Sequence, residues 1–262
     1  MKRALVVAAA LALSGCASRT FTVCADPNNM PFSNRRGEGL ENKLAELLAR
    51  DLHKDLKYVW WKQRRGWIRN TLKAGKCDAW MGVASALEAV GTTRPYYRSG
   101  YVFVSRADAG LAGLTLDDPR LKKLTIGVQL VGDDGANPPP ADALARRGLI
   151  GQTRGFMLYG DDRNPDPAAN IIHAVEQKQI DLAAVWGPLG GWHAAHSPVP
   201  LRVEPVTPWI DAGRWPMVFD ISVGVAKDKP DLLREIDNSL ARNRVAVGNI
   251  VASFHVPPAP GG

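Results

Sequence analysis

Several groups of side chains in this 262-residue sequence carry polar chemistry suited to holding a ligand. Asp26, Asn28 and Asn29 form the turn Asp26-Pro27-Asn28-Asn29 after a short β-rich run, residues 21–25. Their carboxylate and amide groups suit recognition of a small molecule. The competing reading is an Asx turn, in which the same groups satisfy their own backbone. Asp133 and Asp134 stand in a Gly/Pro-rich stretch and suit a cation or a basic partner, against the plainer reading of solvated loop acids. Arg64, Arg65 and Arg69 lie beside Trp60, Trp61 and Trp67. Such a mixture is typical of interface hot spots and of cation–π stacking within a fold; an internal or rim role is preferred. Trp186, Trp192, Trp209 and Trp215 suggest an aromatic cleft or docking face, with core packing as the alternative for each.

Catalytic and metal patterns are missing. The sequence has no Gly-x-Ser-x-Gly, His-Glu-x-x-His or phosphate-binding loop. The histidines, at 53, 173, 193, 196 and 255, are scattered. His193 and His196 share a helix face if that segment is helical, but a surface or cleft-rim role is preferred to a metal site. No metal and no cofactor is expected.

The first residues read as an export signal. Met1-Lys2-Arg3 is basic and residues 4–13 are apolar, which is too short to span a bilayer and right for a secretory core. Leu13-Ser14-Gly15-Cys16 resembles a bacterial lipobox, which implies a cleaved segment 1–15 and a lipid on Cys16; a plain cleaved signal is the alternative. Loss of Lys2 and Arg3 with no acid lowers the net charge from +7 to +5. With no run of five like charges, nucleic acid is not expected as a partner. A membrane is expected only through the lipid anchor. Cys24 and Cys77 remain, and in an oxidising compartment two such cysteines are expected to pair.

These groups need elements to position them. An apolar fraction of 45% with 23% charged residues excludes a disordered chain, and no apolar run beyond the leader is long enough to cross a membrane. Residues 40, 44, 47, 48 and 52 are apolar at helical spacing, and 56–61 reads as a strand. Residues 65–74 read as a helix, and 77–82 and 101–104 as strands. A second unit starts with a strand at 124–129, followed by a loop and a helix at 141–147. Then come a strand at 155–159, a helix at 167–178 and a strand at 182–186. A strand at 219–226 and a helix at 230–247 finish the chain. Strands alternating with helices predict an α/β protein with mainly parallel sheets covered on both faces. The restart near residue 121 predicts two lobes. A ligand is then expected beyond the strand ends, where 26–33, 83–98, 130–140 and 187–196 converge.

The order strand, turn, Pro31-Phe32-Ser33, then Gly37-Glu38-Gly39-Leu40-Glu41 opening a helix resembles the start of a type II periplasmic solute-binding protein. Leu72-Lys73-Ala74-Gly75-Lys76-Cys77-Asp78 and Ile126-Gly127-Val128-Gln129 resemble further parts of that fold. The resemblance implies a two-lobed architecture with a central cleft: lobe one over 20–108, lobe two over 109–207, a return to lobe one over 208–256 and a tail at 257–262. Five blocks resemble a narrower family, the solute-binding-like proteins associated with quinoprotein (methanol) dehydrogenases, the J component of methanol-oxidation clusters. They begin at Val23-Cys24-Ala25-Asp26, at Trp60-Trp61-Lys62-Gln63, at Thr92-Thr93-Arg94-Pro95, at Gly127-Val128-Gln129 and at Val185-Trp186-Gly187.

That resemblance implies a periplasmic accessory protein that aids activation or assembly of the dehydrogenase. Its implied partners are the dehydrogenase and its cytochrome c system, with a small-molecule ligand left open. The cleft residues it implies are Asp26, Asn28, Asn29, Phe32, Arg64, Arg65, Thr93, Arg94, Gln129, Asp133, Asp134 and Trp186. The stretch 83–91 lacks the Arg, and the region of Trp186-Gly187 lacks the acid, with which amino-acid-binding relatives hold their ligand; a free amino acid is therefore disfavoured. Two alternatives remain: a solute receptor of an ABC transporter, and a cleft enzyme resting on Glu88, taken as the only Glu in the cleft loops.

Overall fold

The structure is a computed structural model and describes residues 20–63, 66–85, 87–130, 137–157, 164 and 166–260. Cys16, Arg64, Arg65, Asp133 and Asp134 lie outside the described residues. The first half of the chain forms β1 (Thr20–Ala25), the two-residue strands β2 (Asn28–Asn29) and β3 (Ser33–Asn34), and α1 (Leu40–Asp51). β4 (Asp55–Trp60), α2 (Trp67–Asn70), β5 (Ala79–Ala84), β6 (Gly91–Thr92) and the long β7 (Tyr97–Arg106) follow. The next elements are β8 (Ile126–Leu130), α3 (Pro139–Arg146), β9 (Thr153–Met157), α4 (Asn170–Glu176), β10 (Leu182–Trp186), α5 (Gly187–Ala195) and β11 (Leu201–Pro205). The chain closes with β12 (Ile210–Asp211), β13 (Trp215–Pro216), β14 (Val218–Val225), α6 (Pro230–Arg242) and α7 (Arg244–Ser253).

The main sheet runs β4-β1-β5-β14-β7-β10-β8-β9, with β6 added to β14 and β11 to β7. Each half has a parallel set, β4-β1-β5 in one and β10-β8-β9 in the other. The strands between them are antiparallel, so the sheet is mixed where a mainly parallel one was expected. The reason lies in β7 and β14, which carry the chain between the halves in opposite directions and so pair antiparallel. Tyr97–Gly100 of β7 faces Ile221–Val218 of β14, and Tyr101–Ser105 faces Trp186–Leu182 of β10.

Strand alternation distributes the core to both faces. In the second half, Leu182 and Ala184 pack with Leu121, Ile126 and Leu144, while Ala183 and Val185 pack with Ile171, Val175 and Leu189. In the first half, Val23 packs with Leu44 and Leu48 of α1, and its neighbour Cys24 faces Trp67, Leu72 and Cys77. Trp67 is thus a core residue, tilted against Trp80 at 5.6 Å. Trp60 stacks on Tyr58, with Arg35 over its ring at 5.6 Å, and Lys76 lies over Trp61 at 4.6 Å.

Three elements differ from their sequence reading. The helix expected over 65–74 is two pieces, α2 and a 3-10 turn at Leu72–Ala74. Thr71 between them leaves helical geometry and donates its hydroxyl to the Trp67 carbonyl at 2.6 Å, a side-chain bond that competes with the helix. The last helix breaks at Asn243, whose Nδ2 donates to the Ser239 carbonyl at 2.9 Å, and resumes as α7. Residues 187–195, expected as a cleft loop, form α5 with Pro188 in its first turn, where a missing N–H costs nothing.

Cys24 and Cys77 form a disulfide between buried positions 53 residues apart. Closing a loop of that size stabilises the fold by about 4 kcal/mol. Cys24→Ser with Cys77→Ser, or reduction of the native chain, is expected to lower the melting temperature by about 10 °C. Circular dichroism melts checked for free thiols test this; an unchanged melting temperature on full reduction would remove the disulfide from the stability argument.

Candidate functional site

The site begins with the entry to α1. No side chain caps this helix; the Leu40 N–H donates to the Pro31 carbonyl and the Glu41 N–H to the Phe32 carbonyl, both at 2.8 Å. The Gly39 N–H and the Asn34 N–H both donate to Oδ1 of the fully buried Asn42. A Cβ on Gly39 would lie 2.2 Å from the Phe32 oxygen, so glycine is what lets segment 31–33 close on the helix. The consequence is that the Glu41 side chain leaves the first turn toward β5. There it occupies the space beside Gly82, where a Cβ would stand 2.1 Å from Glu41 Oε1.

Glu41 thereby lines a cavity of about 290 Å³ between the two halves of the sheet. β7 contributes Tyr97 and Tyr101, four residues apart and hence on one face. β14 contributes Phe219 and Ile221, again on one face, and Trp186 ends β10. The rings of Tyr101, Trp186 and Phe219 meet edge-on, with centroids 5.3 to 6.4 Å apart. Polar groups come from Asn29, Gln63, Gln129 and Glu41, and no Lys or Arg lines the cavity among the described residues.

Asn29, Phe32, Gln129 and Trp186 are the sequence candidates that line it. Gln129 Oε1 accepts the Trp186 N–H at 2.8 Å, which ties the end of β8 to the start of α5. Asp26 sits behind the wall, accepting the Asn28 N–H at 2.8 Å and the Gln63 N–H at 2.6 Å; the first of these is the Asx turn weighed above. Asn28 reaches across the halves, Nδ2 donating to the Asn164 carbonyl at 2.7 Å. Thr93 and Arg94 are not at the cavity. Buried Thr93 accepts the Val223 N–H and donates to the Arg94 carbonyl, and exposed Arg94 pairs with Asp237 of α6 at 2.9 Å. Both are drawn to the far side because β14 and α6 offer them partners there.

Glu41, Gln63, Tyr97, Tyr101 and Phe219 were missed by sequence reasoning. Glu41 displaces Glu88, which is exposed and does not line the cavity, as the cleft glutamate. A glutamate in a first helical turn ordinarily complements the helix dipole, so its type and position carried no special signal. His193, on α5, meets the Met30 backbone, and its Nε2 lies 3.7 Å from Asp166 Oδ2. Among the described residues no group of three or more ligating side chains is placed to hold a metal.

Burial governs the charges. It pushes the Glu41 carboxyl up to about 8, with the Asp26 charge adding to the effect. Asp26 is also raised by burial, offset by the two N–H groups it accepts and by Lys62. Asp166 is pushed up to about 6 and His193 down to about 4, burial being the largest cause in each, so the imidazole is neutral at pH 7. The phenols of Tyr97 and Tyr101 are raised by burial and stay protonated.

Residues 21–246 match the family described as bacterial extracellular solute-binding proteins, family 3. The chain is 32% identical to Protein MoxJ of Paracoccus denitrificans over 271 aligned positions, covering 97% of this chain and 95% of that protein. The solved periplasmic binding protein XoxJ from Methylobacterium extorquens AM1 is 36% identical with a TM-score of 0.73, over 92% of this chain and 99% of that one. MxaJ from Methlophaga aminisulfidivorans MPT is 26% identical with a TM-score of 0.75, over 91% and 99%.

The raised carboxyl of Glu41 gives the fold a pH signature. The unfolded chain ionises this group above about 4.5, whereas the folded chain holds the proton to about 8. Its contribution is fully present below the first value and is lost as pH rises through the second. Urea midpoints are expected to fall between pH 5 and 8, and to fall less in Glu41→Gln. The difference between the two profiles isolates Glu41 from Asp166. Parallel profiles would show that Glu41 titrates normally.

Proposed function

The chain belongs to family 3 of the bacterial extracellular solute-binding proteins and, within that fold, to the MoxJ group; from that premise we propose that it works as an accessory beside a quinoprotein methanol dehydrogenase, aiding its activation or assembly. The observation that carries this reading is the likeness to MoxJ, which extends over nearly the whole of both chains. The cavity supports it from another side: among the described residues no Lys or Arg lines it, so none of these offers a cation to the carboxylate of an amino acid. A periplasmic-binding-protein fold that does not grip an amino acid is free to serve a protein client.

The remaining parts of the reading follow. Segment 1–15 is a cleaved export signal and Cys16 carries the lipid, so the protein is periplasmic and tethered. The lobes divide as 20–108 with 208–256, and 109–207, moving about β7 and β14. Asn29, Phe32, Gln129 and Trp186, the sequence-named residues that line the cavity, contact ligand or partner, and the cytochrome c system of the dehydrogenase is the second partner. The protein is not an enzyme: among the described residues Glu41 is the one carboxyl that lines the aromatic cavity, and its neighbour Asp26 is already bonded to two backbone N–H groups.

Purified dehydrogenase applied to the immobilised chain tests the proposal. It is expected to be retained saturably and to gain activity on reconstitution in the chain's presence. Retention of no dehydrogenase, together with lobe closure on a single metabolite in a thermal-shift screen, would replace this reading by that of a solute receptor for an ABC transporter.

A further inference from the structure

We propose that the cavity binds a small primary ammonium ion that carries no carboxylate. The inference does not rest on the dehydrogenase reading.

Two residues of the cavity wall, Glu41 and Asn29, have an oxygen without a donor among the described residues. The Glu41 carboxyl has no hydrogen-bond donor and no cation among the described residues. Asn29, with 7% of its surface exposed, donates its Nδ2 to Gln63 Oε1 at 3.1 Å, while its buried Oδ1 has no donor. Ionised, the Glu41 carboxylate is an acceptor that an N–H-rich cation suits. An acceptor left unpaired inside a protein is costly, and a ligand that supplies the donor recovers that cost. A carboxylate whose burial has raised its pKa returns to its charged form when a cation is brought against it.

The rest of the lining suits the rest of such a ligand. Tyr101, Trp186 and Phe219 meet one another edge-on, and they share the cavity with Phe32 and Tyr97. Aromatic faces attract cations and accept aliphatic surface equally well. An ammonium head against Glu41 leaves its alkyl body among these rings. A neutral alcohol would satisfy one acceptor without the charge. An amino acid would bring a second charge into a wall with no cation to meet it among the described residues.

Calorimetric titration of the full chain with n-butylammonium, 1-butanol and L-norvaline tests the class, since the three share one alkyl chain. Saturable binding of n-butylammonium is expected, at least tenfold tighter than 1-butanol and L-norvaline. Glu41→Gln is expected to weaken n-butylammonium at least tenfold and leave 1-butanol unchanged. No saturation by n-butylammonium up to about 10 mM, a weak limit for a specific site, would overturn the proposal. So would equal binding of the three probes, or a folded Glu41→Gln chain that binds n-butylammonium as the native one does. The comparison of the three probes on the native chain decides the matter by itself if the variant does not fold.

Discussion

The two halves of this protein are fastened by one antiparallel pairing, that of β7 with β14. Four residues of β7 pair with β14, and the next five pair with β10, so one strand belongs to both parallel sets. The same strands furnish Tyr97, Tyr101, Phe219 and Ile221 to the cavity wall. A one-residue slip in the register of this pairing would turn these side chains to the opposite face, since the period of a strand is two. The cavity is therefore a by-product of the joint: its aromatic floor exists because the connection between halves is made of strands, whose side chains must alternate.

What the joint does not explain is the acid. Glu41 arrives from α1, and its position depends on a different set of constraints. The backbone of 31–33 caps the helix, Gly39 permits the close approach, and Gly82 yields the space for the carboxyl. Three separated pieces of chain cooperate to bring a carboxyl to an apolar wall, where burial and Asp26 both resist its charge. A fold optimised for stability alone would place an apolar side chain there, because well-packed hydrophobic groups are commonly as stable as buried charges, or more so. The arrangement stands against that tendency, which marks the position as one shaped by something other than packing.

The fold was legible in the sequence because its determinants are local or periodic. The apolar spacing of α1, the β-rich runs at 20–25 and 182–186, and the restart of the pattern near 121 all report nearest-neighbour physics. The breaks at Thr71 and Asn243 were not legible, because each turns on whether a short polar side chain bonds its own backbone, a choice made by its surroundings. The antiparallel centre was not legible either, since strand direction follows the route of the whole chain. Among the site residues, Asn29, Phe32, Gln129 and Trp186 were found because turns and strand ends are where an α/β fold opens to a ligand. Tyr97, Tyr101 and Phe219 lie inside strands, where alternation alone does not tell a cavity-facing side chain from a core one.

The loops that meet across the cavity carry the argument one step further. Asn28 bonds the Asn164 carbonyl, and Met30 meets His193, so segment 28–30 of the first half already touches the second. Segment 31–33, next in sequence, caps α1 and so positions Glu41. The interlobe contacts of 28–30 and the helix cap of 31–33 adjoin along six consecutive residues. The same short segment thus serves both the contact between the halves and the wall that holds the carboxyl, and its own turn is fixed by Asp26.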